Sequence, residues 1–250
     1  MTKIENHPAE SEPETAFPQR LPLTVDNLKV RLKGFELGPL SFYLKPGQVT
    51  VLLGHNGAGK TTTMRLLIGL IRKDQGSVTL GSLTQDDEIA YRNRIGFVPE
   101  EAFYYRQMTV AQLVKFTSTF YPDWDATRCR KLGEMLALDF SKKIRHLSKG
   151  TRMKLSLLLA LTRNPDVLLL DEPTSGLDPR SRAEVLKMIK SAAQTEGQAV
   201  LFSTHNLGEA EQVADHLLVV DRGHVIASEE MSAIKARIGS LESYYLGLVQ

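Results

Sequence analysis

Cysteine is nearly absent from this 250-residue chain: Cys129 stands alone. No intrachain disulfide can form, which suits a reducing compartment. Long apolar runs are also missing. None approaches the roughly 18 residues that span a bilayer, and the first residues are polar and acidic, so neither a membrane helix nor a secretory leader is expected. Charge of one sign is not in excess. Thirty-one Lys and Arg against 29 Asp and Glu leave +2, which argues neither for nor against nucleic acid. What remains is ordinary globular material, 42% hydrophobic and 24% charged, enough for a substantial core in one large domain or two small ones.

The charge is unevenly spread. Residues 1–18 hold Glu5, Glu10, Glu12 and Glu14 against Lys3, together with Pro8, Pro13 and Pro18. With so little to bury, residues 1–20 are expected to be an acidic, proline-bearing disordered tail. From 22 to 53 apolar and polar residues alternate, with turn signals at Gly34, Gly38 and Pro46-Gly47, which predicts strands and hairpins. Further strands are expected at 77–81, 95–99, 166–171 and 199–204, and a closing hairpin at 216–228 around Arg222-Gly223. Residues 109–165 read as mostly helical. Thr109-x-x-Gln112 is a capping box with Met108 and Leu113 placed as a staple, and Pro122 is expected to end that helix. Asp178-Pro179 starts another, with Val185, Ile189 and Ala192 on its apolar face. The helical stretch interrupts a strand–helix core. The expected fold is therefore α/β: a core at 21–98 and 166–235, a nested helical subdomain at 99–165, and a C-terminal tail at 236–250.

The chemistry concentrates at GHNGAGKT, residues 54–61. The pattern G-x-x-x-x-G-K-[ST] wraps a nucleoside triphosphate. Gly54, Gly57 and Gly59 let the backbone curl so that successive N–H groups face phosphate oxygens. Lys60 can reach the β- and γ-phosphates, and the Thr61 hydroxyl can take a position on Mg²⁺. The buried strand before the loop (48–53) and the helix after it (62–71) supply the required context. LLLDE (168–172) then places two acids behind an apolar strand. Asp171 can hold Mg²⁺, directly or through water, and Glu172 can act as base for an attacking water. LSKG (147–150) precedes an apolar helix, KLSLLLALTRN. Ser148 and Gly150 there could bind phosphate, although a simple helix cap is the better reading of that segment alone. His205, in THN (204–206), ends the next strand at the sheet edge that carries the phosphate loop.

In this order the segments resemble the ATP-binding subunit of an ABC transporter, over about residues 22–230. GHNGAGKTT looks like the Walker A motif, LSKGT stands where the family signature belongs, VLLLDEPTSGLD looks like Walker B running into the D-loop, and His205 matches the switch histidine. LSKGT and YPDWD (121–125) are similar to small bacterial ATPases that pair with separate permeases. The resemblance implies a P-loop NTPase core of mixed, largely parallel sheet with an N-terminal antiparallel β subdomain and an inserted helical subdomain. It implies ATP and Mg²⁺, with nucleotide contacts from Gly54, His55, Asn56, Gly57, Ala58, Gly59, Lys60, Thr61 and Thr62, and from Ser148 and Gly150 across a head-to-tail dimer. Lys60, Glu172 and His205 are the implied catalytic group, and Thr61, Asp171 and Glu100 the implied metal contacts. The implied partners are a second ATPase subunit, identical or paralogous, and a separate membrane permease; no nucleic acid is expected. The location would be cytoplasmic, peripheral on the inner face of the cell membrane, and export is favoured over import.

Three departures from the family pattern stand out. IGFVPE replaces IGYVPQ, so Glu100 occupies the lid-glutamine position, where a carboxylate could approach the metal but adds negative charge beside three phosphates. Lys149 and Thr151 replace the usual Gly and Gln of the signature. Leu32 stands where an adenine-stacking tyrosine is common, with Phe35 nearby as the candidate; packing of Phe35 in the core is the alternative. A soluble ABC ATPase that assembles or remodels without transport is the alternative reading. A regulator that binds nucleotide without turnover is disfavoured by the intact Lys60, Asp171, Glu172 and His205.

Overall fold

The computed structural model describes residues 20–249. The expected acidic tail lies outside the described residues except for Arg20, whose guanidinium is fixed. It donates to the Asn164, Pro165 and Glu196 carbonyl oxygens and pairs with Asp166 at 3.6 Å.

Strands β1 (Leu23–Leu32), β2 (Phe35–Leu44), β4 (Gln75–Leu80) and β5 (Leu83–Thr84) form an antiparallel sheet in the order β2-β1-β4-β5. A second sheet runs β10-β9-β3-β8-β7-β6. It contains β3 (Val49–Leu53), β6 (Ile95–Val98), β7 (Val167–Asp171), β8 (Ala199–Thr204), β9 (His216–Asp221) and β10 (His224–Glu230). All neighbours in it are parallel except β10, which returns antiparallel along β9 through Arg222-Gly223. Every residue of β3, β7 and β8 is buried, as expected for parallel strands covered on both faces.

The pleat sends alternate side chains to two cores. Val49, Val51, Leu168, Leu170, Val200 and Phe202 face the layer formed by helices α5 (Lys149–Thr162), α6 (Pro179–Gln194) and α7 (Leu207–Val213). Leu52, Val167, Leu169, Leu201 and Leu218 face the antiparallel sheet and helix α1 (Lys60–Leu67).

Helix α2 (Glu88–Asn93) precedes β6, and between β6 and β7 lie α3 (Val110–Ser118), α4 (Ala126–Met135) and α5. The Thr109 side chain accepts from the Gln112 N–H while the Gln112 side chain accepts from the Thr109 N–H, so both arms of the capping box are made. Helix α3 stops at Ser118, before Pro122, and the Ser118 and Thr119 hydroxyls turn back onto the Lys115 and Phe116 carbonyls. Such back-bonding competes with helix continuation. Asp178 caps α6 by accepting from the Arg180 and Ser181 N–H groups, and Val185, Ile189 and Ala192 are buried.

The stretch expected to be a C-terminal tail is instead helical. It contains the end of α8 (Met231–Ile238) and α9 (Leu241–Leu248). Leu241 and Tyr244 enter the core shared with α7, and the Tyr244 hydroxyl donates to Glu229 at 2.8 Å.

Candidate nucleotide site

The register of the parallel sheet builds the site. Leu53 pairs with Thr204, and Asp171 with Ser203, so the loops leaving β3, β7 and β8 emerge side by side at the strands' carboxyl ends, the usual ligand edge of an open α/β sheet. They border a cavity of about 520 Å³ lined by Asn56, Gly57, Gly59, Lys60, Thr61 and Thr62, by Glu172, Ser175 and His205, and by Leu32, Lys33, Phe35 and Glu100.

Backbone geometry explains the glycines. Gly59 has φ 111°, and a Cβ there would stand 2.6 Å from Leu37 Cδ1 and 3.1 Å from Phe35 Cζ. A Cβ on Gly54 would meet the Val220 carbonyl oxygen at 2.4 Å. The curl brings the start of α1 to the cavity wall, where the positive end of the helix dipole favours an anion.

Lys60 is 6% exposed and its three donors each find an acceptor: Gly54 O at 2.7 Å, His55 O at 3.1 Å and Glu172 Oε1 at 3.1 Å. Glu172 is almost as buried, and His205 Nδ1 lies 3.0 Å from its Oε2. Glu172 adopts φ 44°, a left-handed conformation that costs a non-glycine residue roughly 1–3 kcal/mol. Its own N–H holds the turn by donating to Ser203 Oγ at 2.9 Å, and that hydroxyl donates onward to Asp171 Oδ1 at 2.8 Å. Ser203 was not singled out by sequence reasoning. Its signal was a polar residue at the carboxyl end of an apolar parallel strand. A second buried network was also missed: Thr174 and Thr204 both donate to Glu209 Oε2, at 2.7 and 2.8 Å.

The predicted residues divide by position. Gly54 and Ala58 are buried in the frame under the loop. His55 turns aside, with Nε2 2.8 Å from Asp221 Oδ1. Asp171 lies beneath Glu172, 2% exposed. Leu32 and Phe35 both line the cavity, and Glu100 stands exposed at its rim. Ser148 and Gly150 are not part of the lining. They form the start of α5, where Ser148 Oγ accepts from the Thr151 N–H and Gly150 packs against Ser181 and Leu177.

Magnesium suits the donor set. It commonly takes one or two protein carboxylates or hydroxyls plus substrate phosphate oxygens and waters. Thr61 at the cavity wall and Asp171 behind it, braced by Ser203, are hard oxygen donors of that kind.

A glycine loop closing a parallel strand, with a histidine after the next strand and an acid pair at the end of the one beyond, defines a P-loop nucleotide-binding site. A family profile described as "ABC transporter" matches residues 37–175, and a second, described as "AAA domain, putative AbiEii toxin, Type IV TA system", matches 141–211. The chain is 32% identical to the ABC-type transporter ATP-binding protein EcsA of Bacillus subtilis (strain 168), over 84% of this chain and 89% of that one. It is 37% identical to a Nod factor export ATP-binding protein I of Burkholderia orbicola (strain AU 1054), over 80% and 68%. It superposes on a solved ATP-binding subunit of an ABC transporter with TM-score 0.82 and 26% identity, covering 91% of this chain and 99% of that one. The chain belongs to the ABC transporter family, among its ATP-binding proteins. It spans 59% and 66% of the length of two other curated relatives.

Proposed function

We propose that this chain binds and hydrolyses MgATP and thereby drives a membrane transporter whose permease is a separate chain. The observation that carries the reading is the arrangement of Lys60, Glu172 and His205 on one cavity wall. Lys60 supplies positive charge at the β- and γ-phosphates. Glu172 accepts the proton of the attacking water, and His205 orients that carboxylate and adds charge stabilisation at the transferred phosphoryl group. Bound Mg²⁺ would neutralise phosphate charge, held by Thr61 and Asp171. Phe35 is the candidate to stack on adenine.

Ser148 and Gly150 do not line the cavity of their own chain. They are assigned to the nucleotide of a second subunit, identical or paralogous, so that ATP joins two subunits and hydrolysis separates them. Among the described residues no helix is long and apolar enough to cross a membrane, which fits a peripheral subunit on the inner face of the membrane. Export is favoured by the relative named for Nod factor export.

Phe103 and Tyr105, 91% and 63% exposed, are assigned to the surface that receives the permease. Exposed aromatics concentrate at interfaces. Tyr105 packs edge-on against Phe116, and Phe116 against Phe120.

The test is reconstitution. The purified chain, co-expressed with a candidate permease of several apolar helices, should release phosphate from MgATP and extract with it as one complex. Phosphate release without any membrane partner in the extract would favour the soluble, non-transport alternative.

A further inference from the structure

A second cavity of about 300 Å³ adjoins the nucleotide cavity. One wall is the loop after β6, Pro99 to Phe103. The other is the first two turns of α5, with Lys149, Arg152, Met153 and Ser156. The charges oppose across the gap: Glu100 and Glu101 on the core side, Lys149 and Arg152 on the helical side. None of the four is ion-paired among the described residues; Arg152 donates to the Leu147 carbonyl at 2.8 Å. Glu100 is the one residue that lines both cavities. Lys149 also reaches the segment between β7 and α6, because its Nζ lies 2.8 Å from the place a Cβ on Gly176 would occupy, next to Ser175 of the nucleotide cavity. Glu100 and Lys149 are both departures from the family pattern. One adds a negative charge at the lid position and the other a positive charge in the signature, and here they border the same gap.

We propose that Glu100 and Lys149 are a matched pair across the core–helical gap and that Glu100 is a positioning residue rather than a metal ligand. The argument is electrostatic. A carboxylate at the nucleotide rim is repelled by incoming phosphates, and an unpaired ammonium at the positive end of α5 lines the opposite wall of the same cavity. Filling the nucleotide cavity therefore drives Glu100 toward Lys149. The pairing draws the first turn of α5, with Ser148 and Gly150, toward the core and sets it for the partner subunit's nucleotide. The neutral residues at these positions in the family pattern cannot pair in this way.

This inference rests on the ATPase reading, and the experiment separates the two. Glu100→Lys and Lys149→Glu should each slow ATP turnover roughly tenfold, and the charge-swapped double variant should regain most of it. The milder Glu100→Gln and Lys149→Gln should each slow turnover with no further loss when combined. The Mg²⁺ concentration for half-maximal rate should be unchanged in Glu100→Gln. Independently of turnover, hydrogen exchange should show ATP protecting segments 99–103 and 149–153 together in the wild type and the swapped variant but not in the single reversals. A double variant that folds and binds ATP yet recovers neither rate nor protection would overturn the pairing, as would a raised Mg²⁺ requirement in Glu100→Gln. A wild-type chain that binds ATP and shows the paired protection but releases no phosphate would overturn the ATPase reading and leave the pairing standing.

Discussion

Lys60 and Glu172 face each other as a buried ion pair, with Nζ and Oε1 3.1 Å apart and both side chains less than a tenth exposed. Two buried charges so close depend on each other, because removing either leaves its partner desolvated and uncompensated. Lys60→Ala should therefore lose MgATP affinity by roughly 30-fold or more, the scale for truncating one member of a desolvated charge contact. Isothermal calorimetry reads this directly. Unchanged affinity would remove the loop from the phosphate site.

Glu172→Gln keeps the shape of the side chain but loses its basicity. Nucleotide binding should persist while turnover falls by roughly 10²–10⁴-fold. Size-exclusion chromatography with ATP should show a stable dimer for this variant. Near-normal phosphate release would mean that another group takes the water's proton.

Ser203→Ala should damage the site without touching the nucleotide. It strands the Glu172 N–H and one Asp171 oxygen in a buried position, costing about 1–3 kcal/mol. Both a lower melting temperature and reduced turnover are expected. Thr would be a partial rescue, since it keeps the hydroxyl. Equal loss in Ser203→Thr and Ser203→Ala would indicate that packing, not the hydrogen bonds, matters there.

The three aromatic residues after Glu101 should separate by phenotype. Tyr104 is half-buried and donates to Ser156 at 2.8 Å, and burial pushes its hydroxyl pKa up. Tyr104→Phe should cost about 1 kcal/mol of stability. Phe103→Ala and Tyr105→Ala should leave the fold and soluble ATPase activity intact while loosening the permease complex, as seen by co-extraction. A loss of ATPase activity in the exposed pair equal to the loss of coupling would return these residues to a structural role.

Acid should release the C-terminal helix. Hydrogen bonds from Tyr244 and Arg237 hold the Glu229 pKa below its ordinary value, while the Tyr244 hydroxyl is raised to about 12. A lowered carboxylate pKa stabilises the folded state above the unfolded carboxylate value and loses that contribution as pH falls through the folded one. The raised phenol works in the opposite direction: its contribution is full below about 10, the ordinary tyrosine value, and is lost only as pH rises through about 12. Amide protection in α9 should therefore fade below the ordinary glutamate range and hold through mildly alkaline pH, and Glu229→Gln should abolish the acid step.

Features written in local sequence were legible in advance. The loop at 54–61, the Thr109–Gln112 box and the Asp178 cap each depend on residues within a few positions of one another. Glu172 and His205 could be brought together because both end apolar strands of one sheet. Ser203 could not be assigned, because its role exists only through the β7–β8 register that sets it opposite Asp171. The α9 helix was missed for a similar reason. LESYYLGL carries a glycine and two tyrosines and shows weak helical patterning, and it gains its stability by docking Leu241 and Tyr244 on distant elements.

The strand order has a consequence for how the protein is made. β3, which launches the phosphate loop, is flanked by β8 and β9, so its hydrogen-bonding neighbours arrive roughly 150 residues later in the chain. At typical synthesis rates that separation is on the order of ten to thirty seconds. During that interval the glycine loop has no frame, and β3 exposes two edges that the finished sheet covers. The nucleotide site is thus among the last parts of the molecule to be completed on the ribosome, and a nascent chain arrested before β8 should not bind ATP.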